Sequence, residues 1–370
     1  MGHMGFRLRP VGFDALPGWG EDDPTPLFPA LARCREHILT VKPYRTGESG
    51  LSSDDLMPLL DAAARVMPAN AADPRAFFEA ECRPFLIEPD QAVHGFVTAF
   101  YEPEVEVAAK PDAVYRFPFY RRPDDLIDVD DTNRPAGLDP TYAFGRSSQE
   151  GIGAYPDRRA IDCGFLEGRG LEIAWARSKV DVFFTHVQGA ARLRFSDGRL
   201  KRITFAAKAG HPFTAIGKLL VDRGEIPMAE ISMQSIRAWL AAHPGEADEL
   251  LWQNRSYIFF REAEVEDVNL GPIAAAKVSL VAGRSLAVDR LIHGFGYPFF
   301  IHSETLTRLD AGKPFARLML ALETGSAIVG PARGDIFTGS GDAAGELAGA
   351  VRNEADFYIL VPKQAASRFG

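Results

Sequence analysis

Cysteine is scarce in this chain: three in 370 residues, at positions 34, 82 and 163. The set is odd in number and scattered, with no C-x-x-C pair and no clustered His/Cys spacing. It supplies neither a disulfide framework nor a zinc site. Buried free thiols are expected for Cys34, Cys82 and Cys163, and no metal or cofactor is. Equally missing is any apolar run near the roughly 18 to 20 residues that a membrane-spanning helix needs. Positive charge is not in excess either. Lys and Arg total 41 against 50 Asp and Glu, a formal net charge of −9. A nucleic-acid partner, whose footprint would be basic, is excluded on that ground. Internal repeats and low-complexity tracts are absent. The opening MGHMG reads as an expression-tag remnant, so the lack of an export signal there carries no information about compartment.

What is present reads as helices first and strands after. LFPALARCREHIL, SDDLMPLLDAAARVM (with Ser52 or Ser53 as N-cap) and DPRAFFEAECRPF (with Pro74 in the first turn) predict three helices. HGFVTAFYEPEVEV predicts a strand ending at Glu102-Pro103, and YRFPFYRRP an edge strand because of Pro118. Residues 123–160, rich in Asp, Pro and Gly, read as one long functional or mobile loop. GLEIAWA, VDVFFTHVQGAARLRF and RLKRITFAAK read as strands. The last two meet at the turn Ser196-Asp197-Gly198 as a hairpin. Its Arg192, Arg194, Arg199, Lys201 and Arg202 read either as a solvated edge or as a basic patch for an anionic polymer. Helices follow: TAIGKLLVDRG stopping at Gly224, SMQSIRAWLAAHPG starting near Ser232 and stopping before Pro244, and EADELLWQNRSY. From YIFFRE onward the chain is strand-like again, with one helix, DAAGELAGAV, headed by Asp342. Helices in front and middle with strands behind suggest a barrel plus an inserted unit.

One stretch stands out: LALETGSAIVGPARGDIFTGSGDAAGELAG, residues 320–349, sets Glu323 and Asp335 in an apolar, glycine-punctuated strand–turn–strand pattern. Taken alone, either acid reads as a turn or capping residue. LETGSA also approaches the apolar-apolar-Asp-Thr-Gly-Ser signature of aspartic proteases, which need two aspartates sharing one proton. Here the acid is Glu and the chain holds no second copy of the motif, so that reading requires a dimer.

The same stretch, with SLAVDRLI before it, resembles the C-terminal 3D module of the membrane-bound lytic murein transglycosylase A family. The blocks VTAFYEPEVE, FPFYRRPDDL, GRGLEIAWARSKVDVFFTHVQGAARLRFSDG, AAKAGHPFTAIGKLLVDRGEIPMAEISMQSIRAWLAAHP and LLWQNRSYIFFRE are similar to that family's, in its order, from about residue 93 to 362. Several blocks in register are a far more specific signal than one motif. The resemblance implies a mainly β fold with helices (α+β). A double-psi β-barrel, 1–104 and 256–370 with the N-terminal helices, would carry an inserted β-rich domain, 105–255, with a glycan groove between them. It implies a peptidoglycan lytic exotransglycosylase, a carbon–oxygen lyase that cuts between N-acetylmuramic acid and N-acetylglucosamine and leaves a 1,6-anhydro end. No cofactor is implied. The partner would be peptidoglycan glycan strands, the protein a monomer, and the place the periplasm, with outer-membrane association.

By motif match Asp335 holds the family's acid/base position, with Glu323 and Asp289 as supporting acids. Glu323 stands where most members have Asp. Thr98, Tyr101, Gln188, Lys208, His211, Gly325 and Ser326 match substrate-facing positions. The resemblance also implies that Gly325, Gly330, Gly334, Gly339 and Gly341 let the backbone approach the sugar and turn. Departures from the family pattern at Ala99, Ala190, Ala191, Ala209 and Ser326 are expected to reshape the groove wall. A different class stays open: a non-catalytic, expansin-like wall-binding or wall-loosening protein on the same barrel. Fold alone does not separate the two.

Overall fold

Period-two runs of β-branched and aromatic residues become strands along most of the chain. This computed structural model describes residues 5–66, 73–90, 94–265 and 267–369. In chain order the strands are β1 (Phe6–Pro10), β2 (Cys82–Pro89), β3 (Gly95–Glu102), β4 (Glu104–Ala108), β5 (Phe117–Tyr120) and β6 (Leu126–Asp128). Next come β7 (Phe144–Ser148), β8 (Gly151–Gly153), β9 (Glu172–Ala176), β10 (Ala190–Phe195), β11 (Leu200–Lys208) and β12 (Ile258–Ala263). The last are β13 (Ser285–Val288), β14 (Pro298–Ser303), β15 (Phe315–Glu323), β16 (Arg333–Ser340) and β17 (Arg352–Pro362). Two compact units form. One is Met1–Tyr101 with Val268–Gly339 and Ala343–Gly370, and the other Glu102–Asp267 with Ser340–Asp342.

In the first unit, β17, β14, β15, β13, β16 and β3 pair in that order, and β3 returns to β17 to close a six-stranded barrel. Closure removes the unpaired sheet edges an open sheet would leave. It depends on the length of β17, whose Arg352–Ala355 pair with β3 while Tyr358–Pro362 pair with β2. Fully buried Phe299, Phe300, Leu318, Leu320, Leu322, Ile336 and Ile359 belong to its core, Phe299 and Ile359 on one face of the strands and Phe300 and Leu318 on the other. Helices Phe28–Thr40 and Ser53–Arg65 bury one face against this core. The second is fixed by a capping box. The Ser52 Oγ accepts from the Asp55 N–H, and the Asp55 carboxylate accepts from the Ser52 N–H. The third predicted helix runs only over Pro74–Glu81. Cys82–Phe85, read from sequence as helix, instead opens β2, because Pro84 has no N–H to continue the helical ladder and the strand has partners on both sides.

In the second unit the main sheet runs β12-β11-β10-β4-β9-β5, so β5 with Pro118 is an end strand. Two expectations fail here. Val180–Gln188, read as strand, lies in the helix Lys179–Gln188: Ser178 caps it through the N–H groups of Val180 and Asp181, and Gly189 at φ 78° ends it. Its run of Val and Phe mimics a strand, but the caps and burial against the sheet win. Residues 123–160 are not one loop. They hold the small sheet β6-β7-β8, and Val129, Leu138 and Tyr142 form a core of their own. Cys34 and Cys82 are buried free thiols as expected, whereas Cys163 is exposed.

The hairpin β10–β11 forms about Ser196–Gly198 as expected, but its cations are not a free patch. Arg192 and Arg202 stand opposite each other and close on Glu102, which is 1% exposed. Arg192 Nε donates to Glu102 Oε2 at 2.9 Å, Arg202 Nε to Oε1 at 2.5 Å, and Ser340 Oγ to Oε2 at 2.6 Å. Arg194 pairs with Glu104, Arg199 with Asp197 and Lys201 with Glu262. Each of the five is already paired with an acid of this chain. Removing one partner from a buried ionic cluster leaves uncompensated charge, which costs about 3–5 kcal/mol, while an exposed pair contributes about 0–1 kcal/mol. Glu102→Ala should therefore lower stability by several kcal/mol and Glu104→Ala barely at all. Chemical denaturation of the two variants checks this, and equal midpoints would contradict it.

Candidate active site

The acids singled out by sequence lie on neighbouring barrel strands. Ala287 on β13 pairs with Asp335 on β16 on one side and with Glu323 on β15 on the other. The two carboxyl-bearing residues thus share one row, two strand spacings or about 10 Å apart at the backbone. A register shift between Leu286 and Ala287 makes this possible, because the pairing with β15 skips from Ala321 to Glu323. In unbroken register Leu322 would stand opposite Ala287 and Glu323 would point to the other face.

Asp335 is half-buried, and its Oδ1 accepts from Thr98 Oγ1 at 2.5 Å. Arg333, two residues earlier on the same face of β16, donates from Nη2 to Thr98 Oγ1 at 2.8 Å. Its Nη1 donates to the Gly334 carbonyl. Burial raises the Asp335 pKa above the ordinary carboxylate range, against the opposing pull of the Thr98 hydrogen bond and the Arg333 charge. Arg333 was missed by the sequence reading. The signal was there: a cation at i−2 from a strand acid shares its face.

Glu323 ends β15. Its Oε1 accepts from the Thr324 N–H at 2.8 Å and its Oε2 from the Ala275 N–H at 3.1 Å. Burial nevertheless pushes its pKa up to about 7, opposed by those two N–H groups and by the Lys277 charge. Asp289 has a holding role. Its Oδ1 accepts from the Leu291 N–H at 3.0 Å and its Oδ2 from the Gly330 N–H at 2.9 Å. Beside it, His293 Nε2 donates to the Pro331 carbonyl at 2.7 Å, and burial drops the His293 pKa to about 4. Together they anchor both ends of the Gly330-Pro331 peptide, just before β16 begins. Gly325 and Ser326 are exposed on the preceding turn, which closes by the Ile328 N–H bond to the Gly325 carbonyl.

Other sequence candidates stand differently. Tyr101 is 6% exposed, its ring packed where Gly345 leaves room: a Cβ there would sit 2.7 Å from Cε2. Gly334 is buried under Phe357 and Leu286, so its smallness serves packing rather than approach to a sugar. In the second unit, Gln188 closes the helix Lys179–Gln188, and Lys208 ends β11, half-buried, with its pKa lowered by burial. His211 is 2% exposed, with Nε2 donating to the Tyr155 carbonyl at 2.6 Å and Nδ1 2.9 Å from the Tyr142 hydroxyl. Both ring nitrogens are spent inside the unit, which corrects its reading as a binding residue. Ala190, Ala191 and Ala209 are likewise buried, so these departures repack a core and reshape no wall.

The pattern described as "MltA specific insert domain" matches residues 96–261. The 3D domain matches residues 284–361. A crystal structure of a membrane-bound lytic murein transglycosylase from Agrobacterium tumefaciens is 65% identical, with a TM-score of 0.93 over 98% of this chain and 100% of that one. The chain belongs to the membrane-bound lytic murein transglycosylase A family. The Escherichia coli K12 member is 31% identical over 71% of this chain, a match that spans 64% of that relative's length. A structure of Escherichia coli MltA with bound chitohexaose superposes with a TM-score of 0.69 at 25% identity, over 96% of this chain and 94% of that one.

Within this transglycosylase fold the raised Glu323 pKa sets a pH dependence of stability. The folded state holds the proton that the unfolded chain releases near pH 4.5, so stability is full below that pH and falls as pH rises toward about 7. The slope cannot exceed about 1.4 kcal/mol per pH unit for one group. Glu323→Gln should flatten this part of the profile between pH 4.5 and 7, measured by urea midpoints. A slope identical to that of the parent would show that Glu323 is ionised throughout.

Proposed function

We propose that this protein is a peptidoglycan lytic transglycosylase in which Asp335 is the single acid and base. The observation that carries the reading is a carboxyl group raised toward protonation by burial while one of its oxygens is held by Thr98. A wall-binding protein without turnover has no use for such a group, which favours the enzyme over the binder. A hydrolase needs one carboxyl to protonate the leaving oxygen and a second to attack or to activate water. Glu323 is a poor second group, since both of its oxygens already accept backbone N–H bonds. If the muramyl 6-hydroxyl is the nucleophile, it is tethered to the reacting carbon, and proximity replaces the second catalytic group.

In this reading Asp335 gives its proton to the leaving O4 and afterwards takes one from O6, leaving a 1,6-anhydromuramyl end. Glu323 supports by electrostatics, and Asp289 by holding the turn that leads into β16. Gly325 and Ser326, exposed on that turn, and Gln188 and Lys208 in the second unit are the proposed contacts to the glycan. The substrate class is supported by the chitohexaose bound in the Escherichia coli relative. The names of the relatives also support a place in the cell envelope, and among the described residues no helix is long and apolar enough to cross a membrane. The barrel and the insert, matched separately by the two domain patterns, are proposed to divide near 104 and, in place of the expected 256, after Asp267, because β12 pairs with β11 in the second unit's sheet; the working form is proposed to be a monomer.

Asp335→Asn keeps nearly the same shape, so the fold should survive while murein cleavage drops by at least the 10²–10⁴-fold typical of a lost general acid. Incubation with purified sacculi and chromatography of the released anhydro-muropeptides checks this. Substantial cleavage by a well-folded Asp335→Asn variant would remove Asp335 from the role.

A further inference from the structure

We infer that Arg333 is a positioning residue which, through Thr98, fixes the oxygen of Asp335 that carries the transferable proton. The inference rests on the assignment of Asp335 as the acid. It begins from the geometry of three side chains on two paired strands, β3 and β16.

A threonine hydroxyl has one proton and two lone pairs. Arg333 Nη2 lies 2.8 Å from Thr98 Oγ1, and a guanidinium only donates. One lone pair of the hydroxyl is thereby taken, and Thr98 cannot give its proton to Arg333. The proton goes to the other neighbour, Asp335 Oδ1 at 2.5 Å. The guanidinium is itself held: its other terminal nitrogen bonds to the Gly334 carbonyl, and it lies 5.6 Å from the centre of the Phe96 ring.

Oδ1 is therefore an acceptor by construction. Placing the acid proton on Oδ1 would set two hydrogens between Oδ1 and Oγ1, or would strand the hydroxyl proton in a half-buried site. The proton sits on Oδ2, the oxygen left for substrate. Once Asp335 has given that proton away, the same chain of donors points at the new carboxylate. Arg333 polarises the Thr98 hydroxyl, and a charge-assisted bond to the anion is the stronger kind. Arg333 thus acts on the acid step and on the return step without touching the sugar. It also gives Thr98 a second task besides lining the site.

On β13, opposite Asp335, stands neutral Ala287, with Glu323 beyond it on β15 and Asp289 just past the end of β13. On the other side Arg352 of β17 pairs with Thr98 in the ladder. Arg333 is the cation that donates to the Thr98 hydroxyl.

Removing a donor from a carboxylate raises its pKa, so the acid form persists to higher pH. Thr98→Val and Arg333→Met should each move the high-pH limb of murein cleavage upward, by about half to one pH unit, and lower the plateau rate. Thr98→Ser, which keeps the hydroxyl, should restore the limb. Adding Arg333→Met to Thr98→Val should shift the limb less than it does in the parent chain, because the intermediary is gone. The experiment records pH–rate profiles on sacculi for the parent, these four variants and Asp335→Asn, with circular dichroism confirming the fold of each. Loss of rate with an unmoved limb, or full additivity in the double variant, while Asp335→Asn is inactive, would overturn the role of Arg333 and spare that of Asp335. An active Asp335→Asn would overturn both.

Discussion

Strand β13 is four residues long, yet the site depends on it. It pairs parallel with β15 and antiparallel with β16, and at Ala287 both ladders bring in an acid. A residue larger than alanine at that point would stand between Glu323 and Asp335. A one-residue slip in either ladder would turn an acid to the opposite face. The closed ring fixes that register, since a strand paired on both sides in a barrel cannot slide without breaking every neighbouring ladder. The chemistry is therefore carried by sheet register more than by loop conformation.

Burial acts on the charged groups of this protein in two opposite ways. Glu102 is removed from solvent but surrounded by Arg192, Arg202 and Ser340, an arrangement in which both oxygens are met by donors. Asp335 has one neutral donor and a nearby cation that donates to that donor. Desolvation then prevails and the proton is favoured. Glu323 lies between these cases, held by two backbone N–H groups and still raised to about 7. The difference between a structural carboxylate and a reactive one is the number of donors that meet it.

Much of this was legible in the residues. The hairpin turn Ser196-Asp197-Gly198, the caps at Ser52 and Ser232 and the edge character of Pro118 follow from local chemistry, and they stand where expected. The acids were found because glycine and apolar neighbours are unusual company for them. What failed was tertiary. VDVFFTHVQ has strand composition, and helix caps overrode it. Arg192, Arg194, Lys201 and Arg202 of β10 and β11 looked like a patch because their acids, Glu102, Glu104 and Glu262, lie at least 60 residues away in sequence. His211 and Ala209 looked exposed because a polar-looking segment was folded inward over Tyr155 and Tyr257. Sequence spacing reports the face of a strand but not what covers it.

The central claim is that one carboxyl group suffices because the nucleophile belongs to the sugar. Digestion of sacculi in heavy-oxygen water, followed by mass spectrometry of the soluble products, tests that claim most directly. The account predicts 1,6-anhydromuramyl ends, lighter by one water than hydrolysis products and free of label. Labelled reducing ends as the main product would contradict it, since a water molecule would then have done the work assigned to the muramyl 6-hydroxyl.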